Sequence, residues 1–170
     1  MIEPRIQRGQ EWLRLLLQLM GVPSEVKAEL ETPIQGSNSP QEEPDSYWLT
    51  IDETNLTDEQ IGVLIGADGN VLDAIQYLAN ASLNLNQTQE QQASYTVELD
   101  GYRVRRQAEI QQIAENAAQD ARASGQEVEI KSLSSAERRQ VHTFMKNFPD
   151  LETFSKGKEP HRHLVVRQVP

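Results

Sequence analysis

Apolar and polar positions change rhythm repeatedly along this chain, and each change marks a candidate element. In residues 10–20, Trp12, Leu13, Leu16, Leu17, Leu19 and Met20 fall mostly at helical spacing, and Gly21-Val22-Pro23 closes the run. Residues 26–30 alternate apolar and charged side chains, as a half-buried strand does, and residues 47–51 (Tyr-Trp-Leu-Thr-Ile) form a second strand pattern. Residues 32–46 between them hold three prolines and one glycine, which predicts a mobile loop. Thr57-x-x-Gln60 has the form of a capping box opening a helix over 57–65. Beyond Gly66-Ala67-Asp68-Gly69 a helical face resumes at Leu72, Ile75, Leu78, Ala79 and Leu83, and residues 95–99 alternate again. The predicted order is α-β-β-α-α-β.

The second half follows a different order. Residues 102–123 are alanine-rich, with Ile110, Ile113, Ala114, Ala117 and Ala121 on one stripe and Ser124-Gly125 after them. Residues 128–130 suit a short strand. Ser134-Ser135-Ala136-Glu137 is another capping-box pattern, opening a helix to about residue 147 with the stripe Val141, Phe144, Met145 and Phe148. Residues 151–155 and 163–167 flank a Lys156-Gly157-Lys158 turn and predict a hairpin. This order is α-β-α-β-β, so the fold class expected is α+β in two small domains, without internal repeats.

The break at Gly66 to Gly69 has two readings. Two glycines inside a helix would cost roughly 1 kcal/mol each relative to alanine, so the chain turns there. Such a turn, feeding a helix N-terminus, can bring backbone N–H groups to a phosphate. It can equally be an interhelical corner.

Composition narrows the classes. The 170 residues are 37% hydrophobic, enough for real cores, and contain no cysteine, which excludes disulfides and thiolate metal sites. The longest apolar stretch, 12–20, is interrupted by Arg14 and Gln18 and is far short of the ~20 residues of a membrane span. It also lacks a signal-peptide pattern, so a soluble, cytoplasmic chain is expected. The net charge of −10 is uneven. Residues 1–100 carry 4 Lys/Arg against 17 Asp/Glu, whereas residues 101–170 carry 12 against 9 and hold all three histidines. Polyanion binding follows local cation density, which favours the second half.

Arg138 and His142 share one helix face at i,i+4, about 60° and 100° from Val141, beside the predicted buried stripe. There a guanidinium can take a phosphate and an imidazole can donate, accept or stack. A structural pair tying the helix to the hairpin is the other reading. Lys156, Lys158 and Arg162 add charge to the neighbouring hairpin. Arg103, Arg105 and Arg106 open the long helix, where they oppose its dipole unless an anion or acidic neighbours compensate. His161-x-His163 has no apparent third ligand, and no nucleophile–base pair stands out, so no metal, no cofactor and no catalysis are expected.

The first order with "IGADGNVLDAIQYL" across the turn resembles a K-homology (KH) domain of the bacterial type, type II. "SSAERRQVH" followed by "SKGKEPHRHLVV" resembles the R-3-H domain, named for an Arg and a His separated by three residues. KH followed by R-3-H is the arrangement of the Jag family, the SpoIIIJ-associated or KhpB-type proteins, and the resemblance covers about residues 10–168. It implies a tail at 1–9, a KH domain at 10–100 with a three-stranded sheet and helices, and an R-3-H domain at 101–170 with a small sheet packed on helices. It implies single-stranded RNA binding at Gly66, Ala67, Asp68 and Gly69 and at Arg138 and His142, with Lys156, Lys158 and Arg162 as neighbouring charge. Post-transcriptional regulation tied to cell division and envelope growth, and a small single-KH protein as partner, or a homodimer, are implied likewise. Two features depart from the family. About ten residues precede the KH pattern, so the Jag-N domain is expected to be absent, and Ala67-Asp68 stands where relatives often have basic residues. The rival expectation is a protein-interaction scaffold whose acidic first half mediates dimerisation.

Overall fold

The computed structural model describes residues 3–31 and 45–170, and the chain divides into two compact units, Met1–Arg103 and Val104–Pro170. The loop expected at 32–46 lies, for residues 32–44, outside the described residues.

The first unit holds α1 (Pro4–Leu19), β1 (Val26–Leu30), β2 (Ser46–Ile51), α2 (Asp58–Ile65), α3 (Asn70–Asn84) and β3 (Ser94–Leu99). Its sheet has the order β1-β2-β3, with β1 antiparallel to β2 and β2 parallel to β3. Leu13 and Leu17 of α1, Leu72 of α3, and Leu49 and Val97 of the sheet are fully buried together. The expected N-terminal tail is corrected: α1 begins at Pro4, with Glu3 as its cap accepting from the Arg5 N–H. Gly9 obscured those first turns in the sequence. Its reason is packing, because a Cβ there would stand 2.7 Å from Cε1 of Tyr95.

The free edge of β3 is closed by side chains of α3. Asn80 donates to the Tyr95 carbonyl at 2.7 Å and accepts from the Tyr95 N–H at 2.9 Å. Asn84 does the same for Ala93 at 2.8 and 2.9 Å, and Gln76 accepts from the Val97 N–H at 3.0 Å. Amides at i, i+4 and i+8 thus satisfy backbone groups that an open edge would present to another strand.

The second unit is built on α4 (Tyr102–Ser124), whose first two residues precede the boundary, then β4 (Val128–Ile130), α5 (Ser135–Met145), β5 (Leu151–Lys156) and β6 (His163–Gln168). Its antiparallel sheet has the order β4-β6-β5. Ile110, Ala114 and Ala117 of α4 pack with Val141 and Met145 of α5 and with Leu164 and Val166 of β6. Alanine's small side chain lets the long helix lie close to its neighbours. The described residues therefore form five α-helices and two three-stranded sheets, the mixed α and β class read from the pattern.

Candidate nucleic-acid interface

Helix α5 starts where the sequence marks it. The Ser134 hydroxyl accepts from the Glu137 N–H at 3.2 Å, and the Glu137 carboxylate accepts from the Ser134 N–H at 2.9 Å. That start places Arg138 seven residues before Met145, on the same helix line as Val141 and Met145. Arg138 is accordingly buried, its side chain only 7% exposed, which corrects the expectation that it lies beside the stripe. Its Nη1 donates to the carbonyls of Leu133 at 2.8 Å and Arg162 at 3.2 Å, and its Nη2 pairs with Glu159. The guanidinium ties the start of α5 to the loop between β5 and β6. Structurally it is an anchor.

His142, one turn further, is exposed, and its Nδ1 shares a hydrogen bond with the Thr153 hydroxyl of β5. Arg138, His142 and Arg162 meet at a cleft of about 380 Å³ between α5 and the hairpin, with Ser135, Arg139 and Glu159 also on its wall. Lys156 and Lys158 do not line it. Strand alternation turns Lys156 to the face opposite Ser155, and Lys158 lies in the exposed segment beyond β5.

Three other arginines of this unit are neutralised. Arg106 pairs with Glu137 at 2.8 Å and Arg122 with Asp150 at 2.6 Å. Arg167 pairs with Glu152 at 2.5 Å while lying 5.0 Å over the Phe154 ring. The hydrogen bond from Arg122 holds the Asp150 carboxyl below its ordinary range. Arg139 and Arg162, by contrast, have no ion-pair partner among the described residues, and both line the cleft. Sequence reasoning missed Arg139 and Glu159. Arg139 carried a signal, since at about 100° per residue it lies about 160° round the helix from Val141 of the apolar stripe and so faces outward. Glu159 carried none, because its role depends on a contact across 21 residues.

In the first unit, the Gly66 to Gly69 stretch is a turn joining α2 to α3. Gly66, Asp68 and Gly69 have φ of +75°, +52° and +77°. A Cβ on Gly66 would stand 2.9 Å from the Val71 backbone nitrogen, and one on Gly69 would stand 2.6 Å from Cε1 of Tyr102. The N–H groups of Gly66, Gly69 and Asn70 donate to the carbonyls of Gly62, Gly66 and Ala67. An interhelical corner accounts for both glycines, and Ala67 and Asp68 are its exposed residues. Arg103 is compensated by acidic neighbours, with Asp73 at 2.5 Å and the Glu98 carboxylate accepting from its N–H. Among the described residues no group of three His, Asp or Glu side chains is placed to hold a metal ion. No described helix is long and apolar enough to cross a membrane.

Residues 108–168 match the R-3-H domain. The chain is 33% identical over 112 residues to RNA-binding protein KhpB of Lactiplantibacillus plantarum, covering 66% of this chain and 34% of that protein. It is 31% identical over 112 residues to the protein of the same name from Clostridium symbiosum, covering 66% and 50%. For that of Bacillus subtilis the identity is 28% over 114 residues, covering 66% and 54%. The chain thus spans between a third and just over half of the length of these relatives.

Proposed function

We propose that this chain, an R-3-H-domain homologue of the KhpB proteins of the Jag family, binds single-stranded RNA and acts by binding rather than by catalysis. The observation that carries the reading is the placement of Arg139 and Arg162. On a chain of net charge −10, two arginines without ion-pair partners among the described residues line one cleft, inside the segment that matches the R-3-H domain. A phosphodiester entering there meets two guanidinium forks and the His142 ring, and Lys156 and Lys158 raise the local potential from the hairpin. Arg138 is a positioning residue, since it holds the loop that carries Arg162.

The first unit, Met1–Arg103, is read as a type II KH domain on its element order and its Gly66 to Gly69 turn. Its contribution to RNA affinity is weak, because Asp68 stands at the tip of the turn. A post-transcriptional role in the cytoplasm, with a small single-KH protein as partner, completes the proposal.

The test uses the full chain carrying Arg139→Ala and Arg162→Ala, with filter binding to a single-stranded oligoribonucleotide across a salt series. Affinity should fall about tenfold or more, and the slope of log K against log salt should lose roughly 0.7 per arginine. Unchanged affinity and slope would refute the assignment.

A further inference from the structure

We infer that the groove between α4 and α5 takes a nucleobase of the same strand whose phosphate lies in the arginine-lined cleft, an inference that rests on the RNA-binding reading. The groove measures about 430 Å³, within the roughly 300–1,000 Å³ of small-molecule clefts. Its floor is apolar, formed by Ile110, Val141 and the half-buried Phe144, and its rim carries the amides of Gln107, Gln111 and Gln140. A base needs both. Its face seeks an apolar or aromatic surface, and its edge needs donors and acceptors together, which a carboxamide supplies in one group.

Two observations select a base of a bound strand over a protein segment. Among the described residues no Asp or Glu lines the groove, although the chain carries 26 of them, so its lining suits a polyanion. Arg139 lines both this groove and the cleft on the neighbouring face of α5, so the two are adjacent and share that side chain. A strand held by its phosphate at Arg139 therefore has an adjacent base at the mouth of the groove. Phosphate contact alone carries no base information, whereas this arrangement would make the chain select nucleic acid over other polyanions.

The experiment compares two probes on the full chain: a single-stranded oligoribonucleotide and inorganic polyphosphate of similar charge. Phe144→Leu should weaken RNA binding about tenfold and leave polyphosphate binding unchanged, whereas Arg139→Ala should weaken both. Because Phe144 also packs edge-on against Phe148 with ring centroids 5.4 Å apart, a second measurement uses the unaltered protein. An oligonucleotide carrying 4-thiouridine should photo-crosslink to peptides covering 107–114 or 139–144. If folded Phe144→Leu binds RNA normally, or loses both probes equally, or the crosslinks fall elsewhere, the inference is overturned. A groove occupied by a protein segment would give the first of these results. If Arg139→Ala weakens RNA binding while Phe144→Leu does not, the RNA-binding reading stands and the base assignment alone falls. If the unaltered protein binds no RNA, both fall.

Discussion

Replacing Glu159 by glutamine removes one negative charge from the wall of the arginine-lined cleft and keeps an oxygen able to accept from Arg138. The pair is asymmetric: the Arg138 side chain is 7% exposed and held by two carbonyls, whereas the Glu159 side chain is 62% exposed. The guanidinium thus keeps all its acceptors in the variant. Exchanging an ion pair for a hydrogen bond in which only the guanidinium is charged costs about 1 kcal/mol, or roughly 4–8 °C of melting temperature for a unit of this size. Binding should move the other way. A carboxylate about 6 Å from a phosphate opposes it by about 1 kcal/mol at an effective dielectric near 50 and about 3 kcal/mol at 20. An exposed carboxylate lies towards the lower figure, so Glu159→Gln should tighten RNA binding by about five- to tenfold at low salt. Arg138, no longer neutralised, should steepen the slope of log K against log salt by about 0.7. Fluorescence anisotropy with a labelled single-stranded oligoribonucleotide over a salt series reads both quantities. Equal affinity with an unchanged slope would refute the reasoning and leave the Arg138–Glu159 pair as a hairpin anchor away from the path of RNA.

Arg138→Ala should destabilise the second unit by about 1–3 kcal/mol, because the buried Leu133 carbonyl and the part-buried Arg162 carbonyl lose their donor; a thermal melt will show the loss before any binding assay is interpretable. Gly69→Ala should lower the melting temperature of the first unit, since the added Cβ meets the Tyr102 ring at a φ of +77°. Asp68→Lys, at the tip of the same turn, should tighten RNA binding about two- to fivefold and steepen its salt dependence; no change would mark the turn as a corner that RNA does not touch. Asp150 is held below its ordinary range by Arg122, so its contribution is complete above the unfolded value of about 3.9 and is lost as pH falls through the folded value. Asp150→Asn should therefore flatten the fall in melting temperature below about pH 4.

The capping boxes at Thr57–Gln60 and Ser134–Glu137, the stripes of α3 and α4, and the hairpin strands are interactions among residues a few positions apart, so their pattern alone placed those elements. The start of α1 was hidden for the opposite reason. Gly9 weakens a helix locally, and its justification is the ring of Tyr95, 86 positions away in the sequence. The closed edge of β3 is similar: Gln76, Asn80 and Asn84 have helical spacing, but nothing local shows that they face a strand's backbone.

For the candidate site, the sequence by itself determined that α5 would exist, that Arg138 and His142 would share a face, and that the second half would hold most of the positive charge. Only the tertiary structure decided which of those charges remain available. Arg138 fell on the line of Val141 and Met145 and was spent on two carbonyls and Glu159, Arg106, Arg122 and Arg167 were neutralised by carboxylates, and Arg139 and Arg162 were left at the cleft. Helix periodicity and capping depend on neighbours in the chain and are therefore written in it locally. The availability of a cation depends on which carboxylate lies within a few ångströms after folding, and that distance is set by contacts between segments far apart in sequence.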